Sequence, residues 1–211
     1  FRNYWSWGYE DLKAKPNLHA VTDQTISLQH MYFDRLHLYC DGADELIFCE
    51  NETNIKKVFN QDSENGYPKD GINDYITLKD DTCINPKKSG TKASAVFRKN
   101  LQPQETVVVR LRFTDLIYLN SPFKEFEEIF KLRIAEADEF YATIQRKIQS
   151  QEEKNIQRQA LAGMMWNKQF YYFNVEQWSE GDPIMPHNFE SRHWVRNKAW
   201  KHAYMANILS M

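Results

Sequence analysis

The stretch WNKQFYYFNVEQW, residues 166–178, joins the two kinds of group that hold a sugar. Aromatic faces suit the apolar C–H surface of a pyranose ring, and amide or ammonium groups suit its hydroxyls. Trp166, Lys168, Gln169 and Tyr171 supply both, which makes them candidate substrate-binding residues. A second stretch, RNKAWKHAY at 196–204, adds Arg196, Trp200 and His202, with Asn197 between them, for recognising hydroxyls or orienting a carboxylate. Each stretch also has a plainer reading. Aromatics at helical spacing usually pack, so Trp166, Phe170 and Tyr171 could be the buried face of a helix. The second stretch could be a loop tied down by hydrogen bonds.

Other reactive side chains carry less. Glu52, Asp70 and Asp74 are acids, but a general acid needs burial or a like-charged neighbour to raise its pKa, and the Asp-Gly and Asn-Asp pairs of KDGINDY (69–75) are ordinary turn chemistry. KKSGTK (87–92) lacks the GxxxxGK[ST] spacing of a phosphate-binding loop. His187, His193 and His202 have no metal-ligating partner four residues away, so neither a metal nor a cofactor is expected. Cys40, Cys49 and Cys83 are an odd number without CxxC spacing, which favours free, buried thiols in a reducing compartment and hence the cytoplasm.

The elements that must position these residues change character along the chain. Up to about residue 115 there are short runs rich in β-branched and aromatic residues: 25–33, 35–40, 45–50, 74–78, 93–101 and 105–113. Several alternate apolar and polar positions, as half-buried strands do. In the last run Val107, Val109, Leu111 and Phe113 share one face, and Val108, Arg110 and Arg112 the other. Turn residues at 41–44, 63–71 and 100–105 separate the runs, a pattern of antiparallel sheets. Ser121-Pro122 then opens a helical stripe through Phe126, Phe130, Ile134, Ala137, Tyr141, Ile144 and Ile148. Ser150 and Glu153 have capping-box spacing and start a second helix, through Ile156, Ala160, Leu161, Met164 and Met165 and on towards Tyr172. Residues 179–193 read as loop, and 194–211 as a third helix or an irregular stretch.

Composition sets the bounds. The 211 residues are 42% hydrophobic and 14% aromatic, enough for a sizeable core, and a net charge of −2 gives no general attraction to nucleic acid or to an anionic membrane. No apolar run reaches the roughly 18 residues that span a bilayer. The chain starts at Phe1, which leaves room for a leader, and it ends in ANILSM; a segment of a longer polypeptide is expected.

Six blocks then occur in order: ENETN (50–54), KDGINDY (69–75), NPKKSGTKASAVF (85–97), AEADEFY (135–141), QRQALAGMMWNKQFYYFNVEQWSEGDP (157–183) and RNKAWKH (196–202). Together they resemble glycoside hydrolase family sixty-three and its mannosylglycerate-hydrolase-like relatives, from about residue 30 to the end. The resemblance implies an N-terminal β-sandwich joined by linker helices to a toroid of paired helices. It also implies hydrolysis of α-linked sugars with inversion, by two carboxyls about 6.5–9.5 Å apart. In the family that pair lies beyond the part matched here, before which a Trp-Asp segment is expected. The resemblance therefore assigns no catalytic residue to this chain, and makes the remainder of the toroid, or a partner chain, its partner beside an α-linked sugar.

The expected fold is α+β: an antiparallel β-sandwich over 1–118, shortened at its start, a linker helix over 119–150, and the first part of an α/α toroid over 151–211. The alternative is a scaffold subunit that kept the sandwich and lost the chemistry. A stand-alone carbohydrate-binding module would need an aromatic platform, for which Tyr32, Phe33 and Tyr39 form no isolated exposed patch by pattern. Asn51-Glu52-Thr53 reads as a glycosylation acceptor, but it sits in a block shared with the resembled group, so its polarity is expected to be structural.

Overall fold

The computed structural model describes residues 5, 15–62, 66–181, 192 and 194–210. Among them the chain is α+β and forms two compact units, one of the residues up to Phe123 and the other of those from Lys124 onward.

In the first unit five strands make an antiparallel sheet in the order β5-β1-β2-β3-β7. They are β1 (Asn17–Thr22), β2 (Thr25–His30), β3 (Phe33–Cys40), β5 (Ser89–Gly90) and β7 (Leu111–Thr114). A separate ribbon pairs β4 (Glu45–Cys49) with β6 (Lys92–Val96). The alternation read in the sequence sets the two faces of the sheet. Register pairs Leu18 with Leu28, Ile26 with Leu38 and Cys40 with Leu111, so these residues share one face. On that face Ile26 and Cys40 form a core with Leu46 and Phe48 of the ribbon, ringed by Leu18, Ala20, Leu38, Ala93 and Ala95. Burying each large aliphatic or aromatic side chain contributes about 1.5–3 kcal/mol. The two-stranded ribbon does not cover the whole sheet: Leu111 and Phe113 lie on the same face and are exposed.

The helices of this unit are α1 (Ile55–Phe59) and α2 (Gly71–Leu78). Residues 74–78, expected as a strand, are the second half of α2. The Asp70-Gly71 turn starts a helix there, and the Tyr75 hydroxyl bonds to the Glu45 carboxylate 2.7 Å away. Only the last part of the run 105–113 is strand, because β7 pairs with β3 from Leu111 onward. The strand β1 was not expected at all.

The second unit holds α3 (Phe126–Ile144) and α4 (Gln151–Trp166), then β8 (Lys168–Asn174), α5 (Val175–Glu180) and β9 (Tyr204–Ser210). Ser150 caps α4, its Oγ accepting from the Glu153 amide at 3.4 Å, as the capping-box spacing implies. Ser121-Pro122 does not cap α3. That helix starts at Phe126 because the Pro122 carbonyl is taken by Arg112 Nη1 at 2.9 Å and Phe123 lies under the Arg110 guanidinium. The expectation that α4 continues towards Tyr172 fails: Lys168–Asn174 is a strand, paired residue for residue with β9. A run of Phe-Tyr-Tyr-Phe favours a pleated surface once a partner strand exists. That partner is 204–210, within the stretch read as helix or irregular.

Candidate functional site

Trp166 is the last residue of α4 and is 87% exposed, so it packs against no core among the described residues. Lys168, Gln169 and Tyr171 fall on β8 opposite Ser210, Leu209 and Asn207 of β9; their side chains lie outside the described residues. Arg196 and Trp200 are exposed in the turn that leads into β9, and His202 is exposed just before it. The Trp200 amide donates to the Asn197 carbonyl at 2.8 Å and Ala203 to the Trp200 carbonyl at 2.8 Å, which folds the turn on itself. The pairing of β8 with β9 links the backbones of the two stretches. His187 and His193 lie outside the described residues.

The sequence acids are structural. Asp70 accepts from Lys57 Nζ at 3.1 Å and from Asn54 Nδ2, and Lys57 also reaches Asp74 at 3.5 Å. Burial pushes the Asp70 pKa up, but the hydrogen bonds from Lys57 and Asn54 outweigh it and hold the carboxyl below its ordinary value. A carboxylate so held is a poor general acid. Glu52 is buried against Lys15 Nζ, 3.2 Å away, which also reaches Glu50 at 3.4 Å. Among the described residues no group of three His, Cys, Asp or Glu side chains could hold a metal.

What the sequence did not show is a polar cleft on the outer face of the five-stranded sheet. Register places His19 of β1 beside Ser27 of β2, and Ser27 beside His37 of β3. These three residues therefore form a row across the sheet, opposite the face that carries the core. Residues 117–123, following β7, fold back over the row and help to enclose about 480 Å³. Tyr39 holds that cover: its hydroxyl donates to the Leu116 carbonyl at 3.2 Å and accepts from the Leu119 amide at 3.3 Å. Tyr118 lies between those two anchors with a left-handed backbone, φ 57°, a strained conformation for a bulky residue.

The floor of the cleft is deeply buried, with Ser27 1% and His37 4% exposed. Ser27 Oγ and His37 Nε2 nonetheless have no hydrogen-bond partner among the described residues. Leaving a buried polar group unpaired costs about 1–3 kcal/mol, so each calls for an explanation. Burial first, then the charges of Arg35 and His19, push the His37 pKa below its ordinary value, so its imidazole is neutral near pH 7.

No protein-family model matches the chain, and no solved structure does. Uncharacterized protein YMR196W of Saccharomyces cerevisiae is 35% identical over 247 residues, which take in 100% of this chain and 23% of the yeast protein. The aligned stretch is longer than this chain, so the yeast protein carries insertions relative to it. The chain thus spans less than a quarter of the length of that relative.

One aromatic cluster lies on the surface of the first unit. Tyr32 and Phe33 are exposed beside His30 at the turn between β2 and β3, ring centroids 5.4 and 5.6 Å from the imidazole. That is an exposed patch where the pattern implied none. Tyr39, by contrast, is buried. Cys40 and Cys49 are buried free thiols, whereas Cys83 is free but only half-buried, and burial pushes the Cys49 pKa up to about 11. Among the described residues no helix is long and apolar enough to cross a membrane.

Proposed function

We propose that the chain is the N-terminal, non-catalytic part of an inverting α-glycosidase acting on α-linked sugars. In this reading the sheet and ribbon of the first unit are a β-sandwich. The helices α3 and α4 brace a helical toroid, and Trp166, Lys168, Gln169, Tyr171, Arg196, Trp200 and His202 rim its sugar pocket. The observation that carries it is the apolar stripe of α3, of which Phe130, Ile134 and Ile144 are exposed along a regular helix while Tyr141 is buried. A contiguous apolar surface of that kind marks a face that another structure covers. The motif resemblance supports a helical toroid as that structure, and the greater length of the yeast relative leaves room for it. Free, buried thiols support a cytoplasmic setting.

The test compares the 211-residue chain with a longer polypeptide containing it, on α-linked glucose disaccharides, following the anomer of the product by NMR. The short chain should show no turnover. The long one should release the inverted anomer, and Trp166→Ala in it should lower kcat/KM by about tenfold or more. Turnover by the short chain that one of its own point mutations abolishes would sink the proposal. The same exposed stripe also suits a scaffold subunit; a long chain without glycosidase activity but in a stable complex favours that reading.

A further inference from the structure

We propose that the cleft over the outer face of the five-stranded sheet binds a small organic anion, its carboxylate or phosphate group seated against Ser27 and His37. This is independent of the glycosidase reading and concerns another part of the chain.

Three observations carry it. First, Ser27 Oγ and His37 Nε2 are unpaired among the described residues, buried and side by side on adjacent strands, both among the residues that line the cleft. A hydroxyl and an imidazole can each donate to an oxyanion. Second, the lining has one sign. None of the described residues lining the cleft is acidic, while Arg35 and His19 both line it. Arg35 is exposed and has no ion-pair partner among the described residues. Arg112, on the same sheet face next to Tyr39, is engaged with the Pro122 carbonyl and adds positive charge nearby. Third, the volume of about 480 Å³ is in the range of small-ligand sites and larger than one inorganic oxyanion fills. Ile117, Tyr118 and Phe123 of the cover give an organic body an apolar surface.

The charge logic also fixes the pH dependence. In the empty cleft Arg35 and His19 oppose a charge on His37. An anion favours that charge, so binding takes up a proton and affinity rises as pH falls through the neutral range.

The experiment titrates the full 211-residue chain with inorganic phosphate, with butyrate and with chloride, following the histidine ring signals by ¹H–¹⁵N NMR at several pH values. Phosphate or butyrate should move the His37 signals and raise its pKa, and chloride should not. Binding by either supports the site, and the stronger of the two names the group. Arg35→Gln should weaken binding about tenfold or more, at an exposed position where folding is unaffected. Ser27→Ala should weaken binding while the empty chain melts no lower, since the substitution removes an unpaired buried hydroxyl. The proposal is overturned if neither anion moves His37 beyond the effect of chloride, or if Arg35→Gln binds like the parent.

Discussion

Tyr39 is a single side chain on which the geometry of a cleft depends. Its ring is buried in the outer face of the sheet, and its hydroxyl makes two bonds to the cover, beside the one from Arg112 to the Pro122 carbonyl. Tyr39→Phe removes them together and leaves the Leu116 carbonyl and Leu119 amide to find water. Urea unfolding should show a loss of about 1–2 kcal/mol, and amide exchange at 116–119 should quicken. Unchanged exchange there would mean that the cover is held by something else. Asp70 is a residue of the opposite kind, legible as an acid in the sequence but engaged in a structural pair. Its folded pKa is depressed, so its stabilisation is fully present above the unfolded value of about 3.9 and is lost as pH falls through the lower folded value. Asp70→Asn should therefore destabilise the chain at pH 7 but less and less in acid, read as converging urea midpoints.

At the scale of elements, three of the blocks that carry the family resemblance meet around the end of β4. The Glu50 amide donates to the Tyr67 carbonyl, Lys69 to Glu52, Asn85 to Phe48 and Thr91 to Cys49. Asn54 caps α1 through the Lys57 amide and also binds Asp70. Thr91 Oγ1 accepts from the Asn51 amide at 2.7 Å and donates to Glu50. The polarity of ENETN is thus that of a hydrogen-bonded junction. Two glycines let the backbones approach: a Cβ at Gly71 would overlap the Cys83 carbonyl, and one at Gly90 the Cys49 carbonyl. Gly90→Ala should cost about 1–3 kcal/mol in thermal or urea unfolding, and a neutral result would mean that β5 can yield. These junctions explain what could and could not be read. The alternation of β2 and β3 and the Ser150 cap were legible because each is local. Residues 74–78 were misread because a short apolar run does not distinguish a strand from a helix, and the Asp70-Gly71 turn decided. Strand β8 was misread because its partner lies 30 residues further on. The cleft was invisible for a related reason: polar positions on alternate residues of β2 and β3 look like a solvent face, and only the cover of 117–123 makes them a floor.

At the scale of the whole molecule, what stands out is apolar surface without cover. Phe113 and Leu111 face the core side of the sheet beyond the reach of the ribbon, and α3 exposes Phe130, Ile134 and Ile144 of its stripe. Within the second unit α3 is held to α4 mainly near its C-terminal end. Arg158 bonds to Asp138 and lies over the Tyr141 ring at 4.6 Å, and Gln145 Nε2 donates to the Lys154 carbonyl at 2.7 Å. None of these contacts uses Phe130 or Ile134. If their role is to meet another part of a longer polypeptide, they contribute little to the stability of this chain and much to assembly. The double variant Phe130→Lys, Ile134→Lys should then melt within a degree or two of the parent, as exposed substitutions do. It should also reduce self-association of the isolated chain in sedimentation, and weaken capture of the remainder of the polypeptide supplied in trans. A large drop in melting temperature, with capture unchanged, would instead make the stripe an internal core and remove the main support for the bracing role.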